Sequence, residues 1–247
     1  MGAYTLWAAR VLVAVSIVVI VIAAVLVVRT AVLGRDNFTL NDTVAVTSTV
    51  DGMEYRVQPE HGDAVAAANA LATLNTRIIA LMRRLKKKYV KNETLRAMFP
   101  KRARATDMLL MRYNPDNFVE NSPLDPSGDT AYTLDKGAVV AICLRNRDPE
   151  LKKCLRHGCR DVDPRTMAIQ DANLLTFVTI HEMSHIAVDA LDHPPIFWMH
   201  FKWLLAEADE ASILYARECN YGEHPQMYCG MQVNYNPLYD PSTRTIT

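Results

Sequence analysis

What the chain most plainly lacks is net charge: 27 basic side chains face 27 acidic ones across 247 residues. A balanced chain leaves no electrostatic footprint for nucleic acid, so no nucleic-acid partner is expected. The five cysteines, Cys143, Cys154, Cys159, Cys219 and Cys229, include no C-x-x-C pair, and the zinc-ribbon class goes with it. There is no internal repeat and no low-complexity domain, which excludes repeat arrays. Leu6 stands where an N-myristoylation signal needs Ser or Thr, so that lipid is excluded too.

Hydrophobic residues make up 50% of the chain but are unevenly spread. Residues 11–28, VLVAVSIVVIVIAAVLVV, are eighteen positions with one serine and no charge. At ~1.5 Å rise per residue the run covers most of a ~30 Å hydrocarbon core. It is longer than a signal-peptide core and no small-x-small cleavage site follows, so a retained anchor is expected. Arg10 on one side faces Arg29 and Arg35 on the other, which leaves the orientation open. Asn37, Asn41 and Asn92 begin glycosylation sequons, which fits an extracytoplasmic domain. Cys154 with Cys159 and Cys219 with Cys229 are candidate short-range disulfides in an oxidising compartment and free thiols in a reducing one, and one cysteine is left over either way.

Residues 35–61 read as a polar tether with a strand or hairpin around Asp51-Gly52. A helix starts near Asp63, a candidate N-cap, with Leu71, Leu74, Ile78, Leu81 and Leu85 as its apolar stripe. It ends in the cations RRLKKKYVK, with KRAR at 101–104. This run suits the negative end of a helix dipole, and it lacks the interleaved aromatics of a nucleic-acid surface. Residues 113–130 are dense in Pro, Asn, Asp and Ser and read as a long loop. AVVAICLR reads as a strand with a short partner in TAYTL.

The stretch TFVTIHEMSHIAVDALDHPPIFWMHF, residues 176–201, carries the chemistry. A helix from about Asp171 to Ala190 puts His181 and His185 one turn apart on one face. Their imidazoles can then reach one cation at about 2.0–2.1 Å. Glu182 is displaced by about 100° around the helix. There it holds a zinc-bound water rather than the metal, takes its proton and delivers it to the leaving amine. Pro194 and Pro195 break the helix and turn the chain back toward the metal. Three residues compete for the third ligand position. His193 ranks first, Glu207 second as a ligand or as an acceptor behind a ligating imidazole, and His200 third. Glu207 and His200 fall on a second helix, Ile196 to Cys219, whose Phe197, Phe201, Leu204 and Leu205 read as core.

The segment resembles the zinc metallopeptidases of the SprT and WLM type. In these an H-E-x-x-H helix leads through a short loop to a third histidine and then an aromatic, as in His181-Glu182-Met183-Ser184-His185 and His193-Pro194-Pro195-Ile196-Phe197. The match is closer to metallopeptidase-like proteins encoded by large nucleocytoplasmic DNA viruses. It rests on YTLDKGAVVAICLR, NLLTFVTIHEMSH, HPPIF and the late YCG at 228–230, and spans residues 130–230. The resemblance implies His181, His185 and His193 as zinc ligands and Glu182 as catalytic base. The departure is Asp192, where a glycine is expected before the third histidine. Tyr228 is a candidate donor to the tetrahedral oxyanion, and AVVAICL a candidate edge strand for an extended peptide.

The expectation is therefore an α+β, zincin-like domain with an active-site helix, a small antiparallel sheet and flanking helices. It spans residues 62–247 behind a tail and transmembrane anchor (1–34) and the tether. The expected function is Zn2+-dependent peptide hydrolysis on a single-pass protein of a host secretory or virion membrane, with a peptide or protein substrate and virion components as partners. A catalytically silent membrane or virion protein that keeps the zincin scaffold is the alternative. A third reading, membrane-surface or nucleic-acid binding by the 83–104 cations, predicts steep salt dependence.

Overall fold

The computed structural model describes residues 43–122, 130–146, 167–190 and 192–247. The expected anchor at 11–28, the sequons at Asn37 and Asn41, and the expected Cys154–Cys159 pair lie outside these residues. The leucine stripe forms the buried face of helix α1 (Ala64–Leu85), which continues through a π turn at Lys86–Val90. By length and composition Ala64–Val90 is a helix able to cross a membrane. Its packing argues for a core helix instead. Leu71, Leu74, Ile78, Leu81 and Leu85 are no more than 1% exposed inside the domain, and Arg77 bonds to Ala172 O and Thr176 Oγ1. Asp63 precedes α1 as expected but makes no side-chain cap. Its carboxylate is taken by the Arg145 guanidinium.

Five strands form one sheet: β1 (Val44–Thr47), β2 (Glu54–Val57), β3 (Phe118–Asn121), β4 (Ala131–Leu134) and β5 (Val139–Cys143), in the order β1-β2-β3-β5-β4. The outer pairs are antiparallel, while β2–β3 and β3–β5 are parallel. The antiparallel sheet expected from sequence is thus mixed. The chain leaves β2 through α1, α2 (Glu93–Met98) and α3 (Pro100–Arg112) before β3, the long crossover that a parallel pair requires. The β1–β2 hairpin turns at Asp51-Gly52, but it belongs to the folded domain rather than to a tether. Tyr55 and Val57 are buried, and the turn is held to α1 by Asn69. β3 lies inside the expected loop. Its polar residues hid it: Glu120 and Asn121 are fully buried, with Glu120 paired to Arg145 and to Gln58 N. Asn92 of the third sequon N-caps α2.

Helix α4 (Ala172–Ala187) is capped by Asp171, and α5 (Pro195–Glu210) ends earlier than expected, before a turn through Ser212. A hairpin of β6 (Gln226–Tyr228) and β7 (Met231–Val233) follows. The expected Cys219–Cys229 pair is absent. Cys229 sits in the β6–β7 turn and bonds Cys143 at the end of β5, while Cys219 is buried and free. The left-handed turn Cys229-Gly230 carries its sulfur toward β5. Cys219 instead packs under Asn173 and Tyr221.

Candidate metal centre

Helix α4 is buried nearly all round, as an apolar helix in a core should be. Its polar side chains divide into two groups. Thr176, Thr179 and Ser184 return their hydroxyls to the carbonyls four residues back, and Asn173 bonds both N–H and C=O of Tyr215. His181, Glu182 and His185 are left facing a cavity of about 810 Å³. A buried helix leaves polar groups unused only where something else takes them up.

His193, on the loop between α4 and α5, completes a cluster. The ligand atoms of His181, His185 and His193 lie within 4.8 Å of one another, with the Nε2 atoms of His181 and His193 2.9 Å apart. All three imidazoles rest on the buried ring of Phe197, at centroid distances of 4.8, 4.3 and 4.6 Å. Phe197, read from sequence as core, is thus also the floor of the site. The loop reaches back because Asp192 takes φ +56, the left-handed conformation that glycine adopts freely and aspartate tolerates. That explains the departure at this position.

Two cations that sequence reasoning missed fix the loop. Lys136, in the β4–β5 turn, donates to Val188 O and Ala190 O at 3.3 and 3.0 Å. Arg112, at the end of α3, donates to Ile186 O and to Asp189 Oδ1. Both serve the carbonyl end of α4, where positive charge is favoured. The Lys-Gly pair of the strand motif was the only sequence signal for this clamp.

Burial, and then the neighbouring imidazoles, hold His181 down to about 3 and His185 down to about 4, and His193 is lowered by burial. The three rings are therefore neutral at physiological pH, the state a metal ligand needs. Burial alone pushes Glu182 up to about 8.

The other candidates lie elsewhere. Glu207 is buried and fully engaged: Lys88 Nζ contacts its oxygens at 2.8 and 3.0 Å, with Arg84 and the Tyr89 hydroxyl alongside. It is not free to act as the third ligand. His200 Nδ1 is held by Ile196 O at 2.7 Å and lies outside the cavity. Tyr228 lines the cavity, its hydroxyl 3.5 Å from Thr130 O. Burial and the nearby Glu182 carboxylate raise its pKa far above the usual phenol range. The edge strand is β4 rather than AVVAICL: β5 lies inside the sheet, between β3 and β4.

No protein-family model matches the chain, and no solved structure matches it. Over 109 residues it is 30% identical to an uncharacterised protein of Acanthamoeba polyphaga mimivirus, a match covering 44% of this chain and 46% of that one. The chain thus spans about half the length of this relative. A giant-virus relative is what the strand and loop motifs implied.

Proposed function

We propose that the chain is a membrane-anchored, zinc-dependent metallopeptidase of the zincin type, held by residues 11–28 in a host secretory or virion membrane. The observation that supports it most is the convergence of three neutral imidazoles, from a buried helix and its return loop, beside an otherwise unengaged buried carboxylate. The donor set fits zinc. Two nitrogens 2.9 Å apart approach the roughly 3.3 Å that separates two ligands of a tetrahedral ion with ~2.05 Å bonds. Three candidate protein ligands rather than four among the described residues favour a catalytic over a purely structural site.

When bound, Zn2+ supplies Lewis acidity and brings the pKa of water toward neutrality. His181, His185 and His193 hold it. Glu182 accepts the proton of the attacking water and passes it to the leaving amine. Its pKa of about 8 applies with no cation beside it, and a neighbouring dication moves a carboxyl into its ionised form. The Tyr228 hydroxyl, bonded to the Cys143 backbone and 3.5 Å from Thr130 O, donates to the oxygen of the attacked carbonyl. The free edge of β4 aligns an extended substrate along α4.

The test compares wild type with Glu182→Gln at matched zinc content on a peptide panel. Cleavage by wild type, with at least a 100-fold loss in the variant, is expected. Equal rates in both, or no cleavage by either, would end the peptidase reading.

A further inference from the structure

Residues 130–133 and 231–235 line the metal cavity as two unbroken runs. Side chains of a strand alternate between its two faces, so a cavity met by a face is lined by every second residue. An unbroken run means that the cavity meets the edge of the strand, where the backbone N–H and C=O groups lie. Two strand edges therefore border the cavity: β4 of the main sheet and β7 of the small hairpin.

The registers show which backbone groups these edges present. On β4, Cys143 N donates to Thr130 O, so 130 and 143 form a hydrogen-bonded pair. Hydrogen-bonded and non-bonded pairs alternate along an antiparallel ladder. Ala131, opposite Ile142, and Thr133, opposite Val140, therefore turn their N–H and C=O away from β5. On the hairpin, Tyr228 and Met231 close a two-residue turn in which Cys229 and Gly230 have φ of 48° and 76°. Positive φ at both positions marks a type I′ turn, whose closing pair is hydrogen-bonded. The next pair, Met227 and Gln232, is not, so Gln232 turns its N–H and C=O away from β6. The Cys143–Cys229 disulfide ties this hairpin to β5.

We infer that β7 is a second substrate-binding edge: an extended peptide enters between β4 and β7 and hydrogen-bonds to Gln232 as well as to Ala131 and Thr133. The inference rests on the peptidase reading for the identity of the occupant. Recognition of this kind is directed at the main chain, so the substrate class is an unfolded or extended polypeptide segment, not a folded surface. Phe177, Trp198, Tyr228 and Tyr235 add an aromatic lining, which favours bulky apolar side chains near the scissile bond.

The test uses the full-length, zinc-loaded Glu182→Gln protein, which binds without turnover, and a fluorescein-labelled octapeptide selected on it from a random pool. Each backbone nitrogen of the octapeptide is then methylated in turn. Successive N–H groups of a strand point to opposite sides. Pairing on both edges predicts a roughly fivefold loss of affinity at each of three or more consecutive positions. Pairing on β4 alone predicts losses at every second position, and that result overturns the inference, as does failure of any octapeptide to bind. Gln232→Pro removes an amide that the β6 ladder does not use, and it should abolish the losses at the positions facing β7. Amide hydrogen exchange at Gln232 gives the answer without a variant: slowing on peptide binding supports the second edge, and an unchanged rate overturns it. If wild type leaves the bound octapeptide intact, the peptidase reading fails while the pairing stands.

Discussion

At the scale of single residues, the site depends on two that break ordinary preferences. Asp192 occupies a left-handed conformation that costs a β-branched residue about 1–2 kcal/mol. Asp192→Gly should therefore keep both zinc affinity and thermal midpoint. Asp192→Val should lose about 1–2 kcal/mol of stability and weaken zinc binding, as measured by unfolding and by competition with a chelator. Glu182 is the second. In the unfolded chain a glutamate loses its proton above about 4.5, whereas burial holds the native carboxyl to about 8. The stability from its neutral form is complete below about 4.5 and is lost as pH rises toward 8. Glutamine stays neutral throughout. Metal-free Glu182→Gln should thus out-melt metal-free wild type at pH 8, with the gap closing at pH 5; a constant gap would contradict the burial argument. His181 and His185, lowered to about 3 and 4, act in the other direction. The unfolded chain takes up protons below about 6.5 that the native rings refuse, so acid destabilises both proteins alike.

At the scale of elements, sequence disclosed whatever had a strong period or a sharp stop. The leucine stripe of α1, the H-E-x-x-H helix and the two prolines that open α5 all stand where they were expected. What stayed hidden was set by tertiary pairing. β3 reads as loop because Glu120 is buried only by virtue of Arg145, 25 residues later. β5 reads as an edge strand because nothing in its own residues records that β3 and β4 flank it. Glu207 has ligand-like spacing, but Lys88, Arg84 and Tyr89, on another helix, hold its carboxylate. The β4–β5 turn is the element whose role the structure adds. Gly137 has φ +111, and a Cβ there would meet Ile186 Cδ1 at 2.8 Å and Arg112 O at 3.0 Å. Gly137→Ala should push the turn off α4, at about 1–3 kcal/mol. Because Lys136 beside it holds Val188 and Ala190, zinc affinity should fall as well. Denaturant unfolding and chelator competition read the two effects separately; loss of stability with unchanged zinc affinity would show that the turn does not position His193.

At the scale of the whole molecule, the histidine cluster and the cavity wall are built from different parts of the chain. The three imidazoles come from α4 and its return loop, residues 181–193, carried by a core of α1, α3 and α5. The opposite wall is the β6–β7 hairpin, whose ties to the rest include the Cys143–Cys229 disulfide, the contacts of the Tyr228 hydroxyl with the Cys143 backbone and Thr130 O, and Gly230 N to Asn146. The disulfide is the strongest of these ties. It closes a sequence separation of 86 residues, and chain-entropy arguments give such a loop about 4–5 kcal/mol. The two parts should therefore come apart under reduction. With both Cys143 and Cys229 changed to serine, global stability should fall by about 3–5 kcal/mol and amide exchange should accelerate across 226–233. Zinc stoichiometry should hold, since none of the three candidate ligands sits on the hairpin. Exchange mass spectrometry with metal analysis on the same samples decides it. Loss of zinc together with the hairpin would mean that the wall and the cluster are one cooperative unit, and that the cavity cannot open without dismantling its chemistry.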